Sequence, residues 1–375
     1  AFLGLVIGIF SVTSSPPANL TENISPAVAT TSISIEKPAP TTTQKIIPAK
    51  KKPATPVVIP PPPIEPIKQI NFSELNEKAR TAVVNIICTT KTGDSFKPIS
   101  GSGVLIDKRG VILTNAHIGQ YLLLKNFMIP NFLTCVIRTG SPAYPRYTAD
   151  LLYISPRWIN EHASDINAQE PLGTGQYDYA LLLITGAVGE DKLPDNFPYL
   201  PFDPTENSHV KSAPVVLASY PAGFLGGINI QQNLYLTSSV GTIDGIFTFK
   251  ENTFDLFSVS GSVIAQKGAS GGAIVGSDGQ LIGIIATATD ANSTSERSLQ
   301  AITIAHIERS LNEEMGMNLE SFLGGNLNER LQSFQNTLAP ALTEALVKEL
   351  NKANWHQILY RQFRRTSKIF SALTF

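Results

Sequence analysis

Apolar residues fall along the chain in short runs bounded by Gly, Pro, Asn or Asp. One set lies at 82–89, 103–107, 111–115, 132–138, 149–154 and 180–184, and a second at 215–219, 234–240, 253–257, 273–275, 281–287 and 298–304. Short strands broken by turn residues at close intervals are an all-β signature. The runs divide into two halves of six, and closing each half into a barrel removes the sheet edges that so many strands would otherwise expose.

The period changes outside these runs. Residues 71–80 read as a short capped helix and 304–314 as a longer one. Beyond Gly324-Gly325, Leu327, Leu331, Phe334, Leu338, Leu342, Leu346 and Leu350 step by three or four, a helical stripe kinked or restarted at Pro340, with Asn326 as its N-cap. So long an apolar face must be covered. Its own domain, a second copy in a homo-oligomer, or a membrane surface met through Arg361, Arg364, Arg365 and Lys368 are the three candidate covers. Residues 155–176 are polar and punctuated by Pro and Gly, the pattern of a loop inserted on the rim. The loop holds His162, Asp165 and Glu170; the His162–Asp165 step of three has no third ligand at recognisable spacing, so no metal site is expected.

Composition bounds the function classes. With 375 residues, 42% hydrophobic and 16% charged, the chain is globular with an additional apolar segment. A net charge of −1 gives no basic face for nucleic acid. Residues 1–12 are apolar but too short to span a bilayer, which needs about 20 such residues; they read as a truncated signal peptide or membrane anchor. Residues 13–70 are rich in Thr, Ser, Pro and Ala, a composition that stays extended and disordered. The plan is an N-terminal tether (1–12), a linker (13–70), a folded domain (71–315) and a helical extension (316–375). It is that of an extracytoplasmic protein, periplasmic, cell-envelope or secreted, membrane-anchored if the first segment is retained. The two cysteines, Cys88 and Cys135, would be buried thiols in a reducing cytosol and can pair in an exported protein.

The candidate chemistry centres on Lys267-Gly268-Ala269-Ser270-Gly271-Gly272. A serine hydroxyl attacks a carbonyl only when a base takes its proton and donors receive the oxyanion. Gly268 can turn so that its N–H and that of Ser270 converge on one point. Alone, the stretch is equally well a Gly-rich hairpin turn. Two others change that: the strand 111–115 runs into His117, and Asp178 opens the apolar strand 180–184. Each would be an ordinary structural residue by itself; together they supply a base and its orienting carboxylate in the order His, Asp, Ser.

At this point the sequence resembles the trypsin-like (chymotrypsin-fold) serine peptidases, in their HtrA/Deg-like branch. The matching motifs are Gly101-Ser102-Gly103-Val104-Leu105-Ile106-Asp107, Thr114-Asn115-Ala116-His117, Asp178-Tyr179-Ala180-Leu181-Leu182 and Gly268-Ala269-Ser270-Gly271-Gly272, over roughly residues 75–312. The resemblance implies two six-stranded antiparallel Greek-key barrels with the site in the crevice between them. It implies an endopeptidase of protein or peptide substrates, needing no cofactor and serving extracytoplasmic quality control or processing. His117 would be the base, Asp178 its orienter and Ser270 the nucleophile, with Gly268 and Ser270 N–H as the oxyanion hole. Ile264, Ile285, Ala286 and Thr287 would line a pocket without an acid, suited to aliphatic side chains. Cys88 and Cys135 would fall on neighbouring first and fourth strands. Three features depart from the family: Gln266-Lys267-Gly268-Ala269 replaces the usual Asn-Pro-Gly-Asn, an insertion precedes Asp178, and no PDZ pattern follows. The rival reading is a catalytically inactive domain of this kind serving as a tethered protein-binding module.

Overall fold

The computed structural model describes residues 71–91, 98–168, 174–205, 211–223, 227–288 and 297–352. The segments read as tether and linker, 1–12 and 13–70, lie outside the described residues, as do Arg361, Arg364, Arg365 and Lys368. No helix among the described residues is long and apolar enough to cross a membrane.

The folded part opens with α1 (Phe72–Ala82), whose Asn71 cap accepts the N–H of Glu74 at 3.2 Å while Leu75, Ala79 and Ala82 turn into the core. Six strands follow: β1 (Val83–Thr90), β2 (Ile99–Asp107), β3 (Val111–Thr114), β4 (Leu133–Thr139), β5 (Tyr144–Ile154) and β6 (Ala180–Ala187). They close as an antiparallel barrel in the order β1-β2-β3-β6-β5-β4. Cys88 of β1 lies directly opposite Cys135 of β4, and the two are joined as a disulfide.

The second half contains β7 (Pro214–Ser219), β8 (Thr237–Thr242), β9 (Gly245–Phe247), β10 (Leu256–Ser260), β11 (Ala273–Val275), β12 (Leu281–Ala288) and β13 (Ser298–Thr303). It has seven strands where six were expected, in the order β8-β7-β11-β12-β13-β10-β9. The extra strand comes from a break in the second one. Ile243 exchanges backbone bonds with Ser212 and Ala213 beside β7, whereas the next residue, Asp244, donates its N–H to Ser258 of β10 (2.9 Å) and accepts that of Ser260 on its carboxylate (2.6 Å). One continuous stretch, 237–247, thus serves both ends of the sheet. Counted as one strand, it gives the second half the strand order of the first. Both halves are antiparallel, and the fold is chymotrypsin-like with added C-terminal helices.

The stretch expected to be a rim loop is largely helical. Ser155 caps α3 (Pro156–His162), accepting the N–H of Trp158 at 3.2 Å, and Pro156 occupies the first turn, where a missing N–H costs nothing. A 3₁₀ turn over Ala163–Asn167 follows, and Trp158, Ile159, Ala163 and Ile166 are buried. His162 Nδ1 pairs with Asp165 at 2.8 Å, a helix-end contact.

After β13, α4 (Gly227–Gln232) having preceded β8, come α5 (Ile304–Met315), α6 (Leu319–Gly324), α7 (Leu327–Thr337) and a last helix over 339–352. Pro340 has no N–H to return to residue 336, so the ladder is interrupted and the helix restarts just before it. Of the apolar stripe, Leu327, Leu331, Phe334, Leu342, Leu346 and Leu350 are buried in one cluster with the interior of the first barrel. Gln335 donates to Leu151 O (2.9 Å) and Thr343 to Leu123 O (3.4 Å), tying both helices to that barrel. Among the three covers, the protein's own domain is the one found.

Candidate active site

β3 is buried along its length and ends one residue before the short helix α2 (Ala116–Gly119), which carries His117. Its pairing with β6 sets Thr114 opposite Ala180, which brings the start of α2 beside Asp178. Asp178 then holds the histidine twice: Oδ1 accepts the His117 N–H at 2.9 Å and Oδ2 meets Nδ1 at 2.8 Å. Asn115 donates its side-chain amide to Asp178 O at 3.0 Å. With Nδ1 engaged by a carboxylate, the proton sits on Nδ1 and Nε2 carries the lone pair. The carboxylate is nearly buried and the imidazole is 23% exposed.

The turn before Asp178 is held from the other half. Tyr177 takes the left-handed conformation (φ 59°) and donates its N–H to His306 Nε2 of α5 at 3.4 Å. His306 Nδ1 in turn meets buried Asp255 at 2.9 Å. Burial alone would raise the Asp255 carboxyl, but hydrogen bonds from His306, Thr253 and the Phe249 N–H outweigh it and hold its pKa at about 2. Arg309 also contacts this carboxylate.

Ser270 lies on the loop between β10 and β11, and every carbonyl around it is occupied. Gln266 O accepts from Ala269 N (3.1 Å), Lys267 O from Ala222 N (2.7 Å), Ala269 O from Gly272 N (2.8 Å) and Ser270 O from Ser102 N (2.7 Å). Gly268 O accepts from Ser102 Oγ at 2.9 Å. A trans peptide points its N–H away from its C=O. The Gly268 and Ser270 N–H groups are therefore turned away from these anchors, and among the described residues neither meets an acceptor. Two glycines are required. Gly268 has φ 89°, and a Cβ there would stand 3.0 Å from Ala222 N; a Cβ on Gly271 would stand 2.0 Å from Ser102 O. The Ser270 hydroxyl is half-buried and directed at Ala286 O, 3.3 Å away.

The contacts of Ser102 place the Ser270 loop against the strand that leads to His117, since Thr114, three residues before the histidine, donates its hydroxyl to Ser102 O at 2.7 Å. Of the four residues expected to line a pocket, Ile264, Ile285 and Ala286 are buried, the two isoleucines inside the core of the second barrel; Thr287 alone is half-buried. Next to Ile264, Val263 is exposed. Sequence reasoning singled out neither Ala222 nor the structural part of Ser102. Ser102 stood within a recognised motif, but its partners lie more than a hundred residues away, and Ala222 acts through a backbone N–H that any residue could supply.

Comparison with known proteins bears on this arrangement. The profile of the trypsin-like peptidase domain matches residues 101–284. Among solved structures, that of Deg5 is similar at 17% identity, covering 64% of this chain and 90% of that one with a TM-score of 0.41. The active form of the Rv3671c protease from M. tuberculosis is similar at 16% identity, covering 72% of this chain and 95% of that one with a TM-score of 0.40. No curated protein sequence matches. The profile runs from β2 to β12 and takes in His117, Asp178 and Ser270 together, so that residues 101–284 are similar to a trypsin-like peptidase domain.

Proposed function

We propose that the protein is an HtrA/Deg-like serine endopeptidase working through His117, Asp178 and Ser270. In this reading Ser270 Oγ attacks the substrate carbonyl while His117 Nε2 takes its proton. The tetrahedral intermediate places its oxyanion between the Gly268 and Ser270 N–H groups. Collapse breaks the C–N bond, His117 passes the proton to the leaving amine, and the acyl-enzyme is hydrolysed by water along the reverse path. Asp178 keeps the imidazole in the right tautomer and stabilises its cation. The observation that carries this reading is the nucleophile loop, in which the carbonyls of residues 266–270 are tied back while the Gly268 and Ser270 N–H groups meet no acceptor among the described residues. A fluorophosphonate probe tests it: the probe should attach at Ser270 of the untreated protein. A protein that never labels would be the inactive binding module, and one that labels only after an activator is added would be a latent enzyme.

Aliphatic side chains are the expected preference on the acyl side of the cleaved bond. Thr287, Ala286 and Val263 offer no counter-charge to Lys or Arg near Ser270. Mass spectrometry of a digested peptide library reads this, and a dominant Arg or Lys would show that an acid from elsewhere reaches the pocket.

The Cys88–Cys135 bond favours an oxidising compartment and so an extracytoplasmic place of work, since disulfides rarely persist in the cytosol. Thiol titration of the protein isolated from its own cells should find no free cysteine, and two free thiols would count against it.

A further inference from the structure

Ser102 has no side-chain exposure, yet its hydroxyl and both of its backbone polar groups all point into the junction between the two halves. The hydroxyl donates to Gly268 O and accepts the Tyr220 N–H, each at 2.9 Å. Its N–H donates to Ser270 O, and its carbonyl accepts the Thr114 hydroxyl, each at 2.7 Å. Through four bonds this one residue of β2 reaches the strand that leads to His117, both sides of the Ala269-Ser270 peptide, and the segment 220–222 whose Ala222 N–H holds Lys267 O.

We propose that Ser102 is the positioning residue of the oxyanion hole, its hydroxyl fixing the plane of the Gly268-Ala269 peptide so that the Gly268 and Ser270 N–H groups stay aimed at one point. The proposal rests on the reading of Ser270 as nucleophile. Gly268 is the weak point of the loop, because a glycine has the widest choice of φ and ψ and can turn either neighbouring peptide over. The peptide before it is held by Ala222 N–H on Lys267 O, and the peptide after it by Ala269 N–H on Gln266 O within the loop and by the Ser102 hydroxyl on Gly268 O, the one bond of that peptide that comes from the first barrel. The same hydroxyl accepts the Tyr220 N–H two residues before Ala222, so one oxygen registers both anchors against each other. Ser270 O, bound to the Ser102 N–H, fixes the far side. Removing the hydroxyl leaves the nucleophile and the base in place, and it takes the partner from Gly268 O and from the Tyr220 N–H together.

The test uses the full chain with Ser102→Ala, Ser102→Thr and Ser102→Cys, reading kcat and KM on a cleaved peptide, the fluorophosphonate labelling rate and the thermal midpoint. Ser102→Ala should lower kcat by about 10²-fold, the usual effect of losing one oxyanion donor, with KM within about twofold and slower labelling at Ser270. Ser102→Thr keeps a hydroxyl and should recover most of kcat. Ser102→Cys keeps the volume with a weaker donor and acceptor, should fall between the two, and serves if the alanine variant does not fold. A folded Ser102→Ala or Ser102→Cys with unchanged kcat, or a threonine variant as slow as alanine while equally stable, would overturn the proposal. If the unsubstituted chain itself neither cleaves nor labels at Ser270, the peptidase reading fails first, and that outcome is distinct from an active parent whose kcat does not depend on the Ser102 hydroxyl.

Discussion

Ser270→Ala will abolish peptide hydrolysis and leave the thermal midpoint nearly where it was. The rate loss should be on the order of 10⁶ in kcat, as for other serine triads. The stability effect is small because the hydroxyl is half-buried and makes one long bond, 3.3 Å to Ala286 O, worth about 1 kcal/mol at most. His117→Ala should cost about as much activity, and the double variant little more, since base and nucleophile act as one unit. Its stability cost should be larger than that of Ser270→Ala. The imidazole occupies Asp178 Oδ2, and without it the nearly buried carboxylate keeps the His117 N–H on Oδ1 but loses the partner on the other oxygen. Turnover that persists in Ser270→Ala and depends instead on Ser102 or Ser262 would overturn the assignment.

The parts of the fold legible in the sequence are those set by local periodicity. The bounds of β3, β6, β11 and β12 follow from the apolar runs to within a few residues, because buried strands read as apolar runs ended by turn residues. The pairing that joins His117 to Asp178 follows from adjacency of β3 and β6, whereas the expectation that Ser270 joins them rested on the order His, Asp, Ser, and the Ser270 hydroxyl is directed at Ala286 O. What stayed hidden depends on contacts between distant residues. The break at Ile243-Asp244 is marked locally only by the Asp244-Gly245 dipeptide, a turn signal that does not show that two consecutive residues bond to opposite ends of a sheet. α3 was hidden by polarity: Arg157, Asn160 and Glu161 mask Trp158 and Ile159, and the Ser155-Pro156 start was the available cue. The expected pocket residues show a further limit. Resemblance gives their place on the chain, whereas the packing of Ile264 and Ile285 in a second core is a property of the barrel closed around them.

A chain ending at Gly325 should be markedly less stable than the full protein with no change in its state of association. Residues 327–352 place six large apolar side chains, Leu327, Leu331, Phe334, Leu342, Leu346 and Leu350, in the cluster shared with the first barrel. Their value lies in what they cover, because cutting them away bares Leu151, Leu152 and Tyr153, which belong to the barrel and stay ordered. The Tyr153 ring lies 6.3 Å from that of Phe334, tilted by 59°, and its hydroxyl bonds Glu314 of α5, so the damage should reach the helix whose His306 grips the turn before Asp178. Phe334→Ala in the full chain isolates the packing part and should cost about 3–5 kcal/mol. Thermal melts and light scattering on the full and shortened chains separate the outcomes. A lower midpoint at unchanged association fits a face turned onto its own barrel, whereas an oligomer that falls to monomers with its melting point intact would mean that the stripe is covered by a second copy.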